Sequence, residues 1–81
     1  MSEVRDAEQL AQDYTAMGHS VDLINAIIAG TQMADDTAEE KQDCVDRNVA
    51  HLELMVAKDY WTSEDMTAVN SAITAGQGYT A

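Results

Sequence analysis

Apolar side chains recur along the N-terminal part of the chain at the three- and four-residue spacing of an amphipathic helix. Over about residues 3–17 they share one helical face. Over residues 21–29 they cover a wide arc, which predicts burial on more than one side. Gly18 and Gly30 are expected to end these two helices, and Ser20 to cap the start of the second. The pattern predicts a helical hairpin over about residues 3–30.

A second region of helix follows a connection at residues 31–36. Two overlapping capping boxes, Asp36 with Glu39 and Thr37 with Glu40, predict the start of a helix at about residue 38. Apolar residues in a narrow sector predict that this helix continues to about residue 60 and is the longest in the chain. The members of this stripe are Val45, Val49, Leu52, Val56 and Tyr60.

The last helix is predicted at about residues 63–75. Thr62 and Asp65 form another capping box, with Trp61 and Met66 as a hydrophobic staple, and Gly76 is expected to stop the helix. Residues 77–81 are expected to form a loosely packed tail. The sequence thus predicts a single all-α domain over residues 1–81, with four helices in two antiparallel hairpins, about 3–30 and 38–76.

The two predicted hairpins also resemble each other in sequence. Residues 10–30 align with residues 56–76 without a gap, and seven of the twenty-one positions are identical. Both segments end in Ala-Ile-x-Ala-Gly. One interpretation is an internal repeat of a helical hairpin, and the other is coincidence in an alanine-rich helical chain.

Charge narrows the range of functions. Fifteen acidic and four basic residues give a net charge of −11, which disfavours direct binding to nucleic acids or to anionic membranes. The single cysteine, Cys44, excludes an internal disulfide and is typical of a reducing compartment. Neither a membrane-length apolar segment nor a signal-peptide pattern is present, so we expect a cytoplasmic protein.

The sequence shows no clear set of catalytic or metal-binding residues. Cys44, His51 and His19 with a carboxylate are one conceivable zinc set, but their spacing matches no zinc motif. The alternative is a cysteine packed at the edge of the apolar stripe and two solvent-facing histidines. Asp35 and its acidic neighbours lack the alternating pattern of a calcium loop. We therefore expect no enzyme activity, no metal and no cofactor.

Carboxylates three or four residues apart form an acidic face along the start of the long helix. Proteins that imitate DNA present carboxylates in this way to a basic groove, whereas in most small proteins such a face only promotes solubility. The members of the face are Asp36, Glu39, Glu40, Asp43 and Asp46.

Three large side chains do not fit the apolar stripe of the long helix. Leu54 lies about 180° from its centre, Met55 lies to one side, and Trp61 follows beyond them. Either another helix of the same chain covers that side, or the three residues form a contact surface for a protein partner. Because the apolar residues exceed what one small core requires, a homo-oligomer is expected.

The C-terminal part of the chain, residues 49–81, resembles short proteins of marine bacteriophages of the cyanophage type. Leu-Met-Val-Ala-Lys-Asp-Tyr-Trp at 54–61 and Glu-Asp-Met-Thr-Ala-Val-Asn at 64–70 carry the resemblance. It implies a virion component or a small factor directed at the host, and it assigns no activity.

Together these observations favour a non-catalytic protein–protein interaction module that acts as an adaptor, an inhibitor or a self-assembling subunit. The alternative function is an acidic DNA mimic, or titrating inhibitor, that occupies a basic site on a nucleic-acid-binding protein. A protein partner or a second copy of the chain is expected in the first case. Salt separates the two functions, because binding through carboxylates weakens steeply with salt and binding through apolar contacts does not.

Overall fold

Among the residues that the structure describes, the chain forms three helices. The computed structural model describes residues 6–58, 60–61 and 64–81. Helix α1 spans Ala7–Ala29, α2 spans Ala38–Val56 and α3 spans Thr67–Gln77, and the described residues contain no strand. The all-α class is confirmed, but the prediction of four helices in two hairpins is wrong.

The first predicted hairpin is one continuous helix. Asp6 and Gln9 form a capping box at the start of α1, and the helix then runs through both Gly18 and Ser20. An interior glycine costs a helix roughly 1 kcal/mol. Continuing the helix places Met17, Val21 and Ile24 on one buried face, and each such side chain contributes about 1.5–3 kcal/mol. Burial therefore outweighs the glycine, and the prediction of a break at Gly18 is wrong.

Helix α2 begins where the sequence predicted and ends early. Thr37 and Glu40 form the capping box, whereas the predicted end at Tyr60 is wrong because the helix stops at Val56. The indole Nε1 of Trp61 donates to the carbonyl oxygen of Met55 at 2.8 Å. That carbonyl also accepts from the backbone N–H of Lys58 at 3.0 Å, so α2 ends in a tighter, three-residue turn. The returning Trp61 side chain adds a second donor to the same carbonyl.

Helix α3 begins later than predicted. Thr62 and Ser63, the predicted cap and first residue, lie outside the described residues. Instead, the backbone N–H of Thr67 donates to Asp65 Oδ1 at 3.0 Å. This hydrogen bond, with a second one from the Thr67 side chain, lowers the pKa of Asp65 because both favour the ionised carboxylate.

The repeat interpretation is also wrong. Gly30 ends α1 in the left-handed conformation, with φ of 81°, but Gly76 lies inside α3 and is buried. The first segment of the alignment is one helix, while the second includes the end of α2 and the connection to α3. Two superposable hairpins therefore do not exist.

All three helices pack against one another around one core. Tyr14 Oη donates to the carbonyl oxygen of Asp65 just before α3, and Gly76 near the end of α3 faces Ile24 and Val49. Helix α3 is therefore parallel to α1 and antiparallel to α2, in a bundle of 41 × 20 × 18 Å. The core consists of Met17, Val21, Ile24, Ile27, Val45, Val49, Leu52, Trp61, Val69 and Ala72.

The chain after α3 contacts α2. Gln77, expected in the tail, is the last residue of the helix. Beyond it, the side chain of Gln42 donates to the carbonyl oxygen of Tyr79 at 3.2 Å and accepts from the backbone N–H of Ala81 at 2.9 Å. These two bonds and the half-buried ring of Tyr79 fix the C-terminal residues against the bundle.

Candidate interaction surface on the outer face of α2

Helix α2 buries one side and presents the other to solvent. Val45, Val49 and Leu52 point into the core. At 100° per residue, Leu54 lies 180° from Val45 and therefore points directly outward. We call the exposed stripe centred on Leu54 the outer face of α2. It consists of Glu40, Asp43, Arg47, Ala50 and Leu54.

Leu54 is the most exposed large apolar side chain among the described residues. It is 63% exposed, and the next, Ile28 near the end of α1, is 42% exposed. Neither α1 nor α3 covers Leu54, so α2 is not sandwiched within its own bundle. Of the two alternatives that the sequence left open, a two-sided core is wrong for this residue.

Met55 and Trp61 do not join Leu54 on this surface. Met55 is half-buried against the core. Trp61 is only 8% exposed and packs against the rings of Tyr60 and Tyr14, with centroids 4.9 and 6.1 Å away. The predicted placement of Trp61 beside Leu54 is wrong, because the chain folds back after α2 instead of continuing the helix.

The predicted acidic residues lie on the surface of the N-terminal half of α2 and just before it. All five, namely Asp36, Glu39, Glu40, Asp43 and Asp46, are exposed, and four of them line a shallow groove with Thr37 and Gln42. Asp43 Oδ2 pairs with Arg47 Nε at 2.9 Å. An ion pair this exposed adds little stability, but it neutralises one carboxylate of the outer face.

Charge is distributed unequally among the helices. Helix α1 contains no lysine or arginine, and residues 67–81, which include α3, contain no charged residue at all. Lys41 and Arg47 lie in α2, and Lys58 follows two residues after it. Along the outer face, carboxylates therefore occupy the N-terminal half, whereas Arg47 and the apolar Ala50 and Leu54 occupy the C-terminal half.

Helices α1 and α2 also share a partly buried polar contact that the sequence did not reveal. Ser20 Oγ and His51 Nδ1 lie 2.7 Å apart, and Ser20 is 6% exposed. The expectation that His51 faces solvent is wrong, as is that of Ser20 as a helix cap. A serine beside a histidine is one requirement for nucleophilic catalysis, but a substrate cannot reach an oxygen this deeply buried. The bond instead links the two helices.

The predicted zinc residues are dispersed. His19 is exposed on α1, and Cys44 is half-buried on α2. The side-chain nitrogen of Asn48 donates to the Cys44 carbonyl oxygen at 2.8 Å. In the described ranges, no three histidine, cysteine, aspartate or glutamate side chains are grouped to hold a metal ion. None of the helices described there is both long enough and apolar enough to cross a membrane.

No protein-family model, no curated protein and no solved structure matches this chain. The function must therefore be inferred from the chemistry of the outer face of α2.

Proposed function

We propose that this protein is a non-catalytic protein–protein interaction module that binds its partner through the outer face of α2. The resemblance of residues 49–81 to short bacteriophage proteins extends the proposal to a virion component or a host-directed factor, acting in the virion or in the cytoplasm of the host cell. The observation that carries the proposal is the 63% exposure of Leu54 on a helix whose opposite side is anchored in the core.

The arrangement suits a helix that packs against another protein. Arg47, Ala50 and Leu54 are spaced as i, i+3 and i+7, the spacing by which a helix contacts a groove. Burying a leucine side chain contributes about 1.5–3 kcal/mol. Ala50 allows close approach of the partner, and the aliphatic part of Arg47 extends the apolar area. Because α2 is already folded, binding does not have to order this surface.

The acidic DNA mimic is the second candidate, supported by five exposed carboxylates on the N-terminal half of α2 and just before it. This function is the weaker candidate because the protein carries less negative charge per unit length than DNA. The net charge of −11 over a length of 41 Å gives one charge per roughly 4 Å, against about one per 1.7 Å in duplex DNA. The density of negative charge is reduced further by Lys41, which lies among the acidic residues of α2, and by Arg47, which directly follows Asp46.

A capture experiment with matched variants tests the proposal. The wild-type protein, Leu54→Asp and Ile28→Asp are immobilised and exposed to host lysate at low and at high salt. We expect wild type and Ile28→Asp to retain the same partner at both salt concentrations, and Leu54→Asp to lose it while keeping its circular dichroism spectrum. Ile28 is the matched control because it is the other exposed large apolar residue of the described chain.

Two outcomes contradict the proposal. In the first, Leu54→Asp unfolds the protein, which would show that Leu54 is required for folding and is not a binding residue. In the second, binding survives Leu54→Asp but is lost at high salt and in a Glu39→Gln, Glu40→Gln, Asp43→Asn, Asp46→Asn variant. That result would favour the acidic mimic.

A further inference from the structure

We propose that Gln42 is the centre of a second docking site, which takes a non-helical peptide segment with an aromatic side chain and basic flanks. In the folded protein the chain's own residues 78–81 lie in this site. The proposal goes beyond the function proposed above, because Gln42 lies 120° around α2 from Leu54 and outside the outer face. The two surfaces can therefore bind independently.

The side-chain amide of Gln42 contacts main-chain groups. Its Nε2 donates to the carbonyl oxygen of Tyr79 at 3.2 Å, and its Oε1 accepts from the backbone N–H of Ala81 at 2.9 Å. Nε2 also donates to Asp46 Oδ1, one turn further along α2, at 3.0 Å. A glutamine amide has two donor hydrogens and one acceptor oxygen. Both hydrogens and the oxygen are thus used, and Asp46 holds the amide in the orientation that faces residues 78–81.

Because these bonds involve the main chain, a segment of another protein can supply the same groups. A carbonyl oxygen and an N–H two residues later are available in most segments outside a helix. Sites that bind peptides in this way take affinity from main-chain bonds and specificity from side-chain contacts. Here the side-chain contact is the ring of Tyr79, which is half-buried against the core, whereas Thr80 and Ala81 are exposed. The site therefore selects an aromatic side chain and constrains the two following residues little.

The contact made by residues 78–81 is limited in extent. Gly78, Thr80 and Ala81 are exposed, so the ring of Tyr79 supplies the buried part of the contact. A segment with few buried apolar contacts opens at a lower free energy than the core does. While it is tethered, however, it competes with any free peptide at an effective concentration on the order of millimolar. Weakening the tethered segment should therefore expose the site to a free peptide.

The charge beside Gln42 indicates what should flank the aromatic residue of a partner. Gln42 lines a shallow groove with four carboxylates, one of which pairs with Arg47. The four are Glu39, Glu40, Asp43 and Asp46. Residues 78–81 carry no charged side chain, so the chain's own segment does not use this charge. Lysine or arginine on either side of the aromatic residue would be attracted to the groove, most strongly at low salt.

An NMR titration of the isotope-labelled protein with the peptide acetyl-Lys-Gly-Tyr-Thr-Ala-Lys-amide tests the proposal. The substitution Tyr79→Gly, or Tyr79→Ser if circular dichroism shows the first variant to be unfolded, removes the ring and leaves Gln42 in place. We expect the peptide to shift the backbone amide signals around residue 42 in this variant, with a dissociation constant of roughly 10⁻⁴–10⁻³ M. Wild type should bind at least tenfold more weakly.

A matched variant and matched peptides identify the groups responsible. Adding Gln42→Met to the Tyr79 variant keeps a side chain of similar length but removes the amide, and should abolish binding. The peptide with alanine in place of tyrosine should also fail to bind. The peptide with glutamate in place of both lysines should bind at least tenfold more weakly at low salt, because it meets the carboxylates of the groove.

Several results would overturn the proposal. If the Tyr79 variant binds the peptide no better than wild type, residues 78–81 do not lie in a docking site. If Gln42→Met binds equally well, the main-chain bonds to Gln42 are not what holds the peptide. Equal affinity for the alanine or the glutamate peptide would overturn the stated class of partner. None of these results depends on Leu54, so the function proposed above fails or stands separately through its capture experiment.

Discussion

Two glycines inside helices of this protein have opposite roles. A methyl group added at Gly76 would overlap the Val49 side chain, whereas one added at Gly18 would meet no atom within 4 Å. Gly76 therefore allows α3 to approach α2 closely, which is why it is buried within a helix that the sequence predicted it would end. Gly18 has no such packing role in α1. Sequence cannot distinguish the two, because both are simply glycines near apolar residues.

Alanine substitutions at these positions should change stability in opposite directions. Gly76→Ala overpacks the core, at a cost of about 1–3 kcal/mol that exceeds its helix-propensity gain of about 1 kcal/mol. Gly18→Ala causes no overlap and should therefore raise the free energy of unfolding, by about 0.5–1 kcal/mol, through the higher helix propensity of alanine. For a domain of this size, each kcal/mol shifts the melting temperature by about 4–8 °C. Thermal unfolding followed by circular dichroism measures both variants.

The source of the Gly76 effect can be checked with a third substitution. In a Val49→Ala background, Gly76→Ala should cost clearly less than in wild type, because the methyl group that it meets has been removed. Equal costs in the two backgrounds would show that Val49 is not what limits the size of residue 76.

At the scale of the helices, the sequence predicted the features that depend on neighbouring residues and missed those that depend on contacts between distant residues. The Thr37–Glu40 capping box and the helix end at Gly30 depend on neighbours within a few residues, and both were predicted correctly. At the early end of α2, by contrast, the Met55 carbonyl accepts from the side chain of Trp61, six residues away, as well as from the backbone N–H of Lys58. No residue between Ala57 and Tyr60 is a strong helix breaker, so periodicity alone extends the helix.

The same distinction applies to the candidate surface. The outward direction of Leu54 follows from its 180° separation from Val45 within one helix, and the sequence predicted it. Trp61 was wrongly grouped with Leu54 because that grouping assumed four more residues of helix. The Ser20–His51 contact joins residues 31 positions apart, and neither residue belongs to a motif that signals such a pairing.

Trp61 should be the residue on which the end of α2 depends most. Trp61→Phe keeps most of the buried ring but removes the indole N–H that bonds to Met55, at a cost of about 0.5–1.5 kcal/mol. Trp61→Ala also leaves a cavity beside Tyr14 and Tyr60 and should cost about 3–5 kcal/mol. Urea unfolding followed by circular dichroism at 222 nm gives both values. Comparable midpoints for the two variants would show that the ring contributes little beyond its hydrogen bond.

For the whole molecule, the dominant electrostatic fact is a net charge of −11 on a body only 41 Å long. Three of its four basic residues, Lys41, Arg47 and Lys58, lie within one stretch of 18 positions, and outside that stretch the sequence has twelve acidic residues and a single basic residue, Arg5. Folding brings these charges closer together than they are in the unfolded chain. Repulsion therefore opposes the folded state, by an amount that depends on how far each charge is screened.

Added salt should consequently stabilise the folded protein. The Debye length falls from about 30 Å at 0.01 M to about 8 Å at 0.15 M, that is, from most of the length of the molecule to less than half of its width. We expect the melting temperature to rise by roughly 4–8 °C over that range, equivalent to about 1 kcal/mol. Sodium chloride and sodium sulfate compared at equal ionic strength separate screening from the surface exclusion of sulfate. A melting temperature that is flat in chloride and rises only in sulfate would show that repulsion between the carboxylates does not limit the stability of the folded protein.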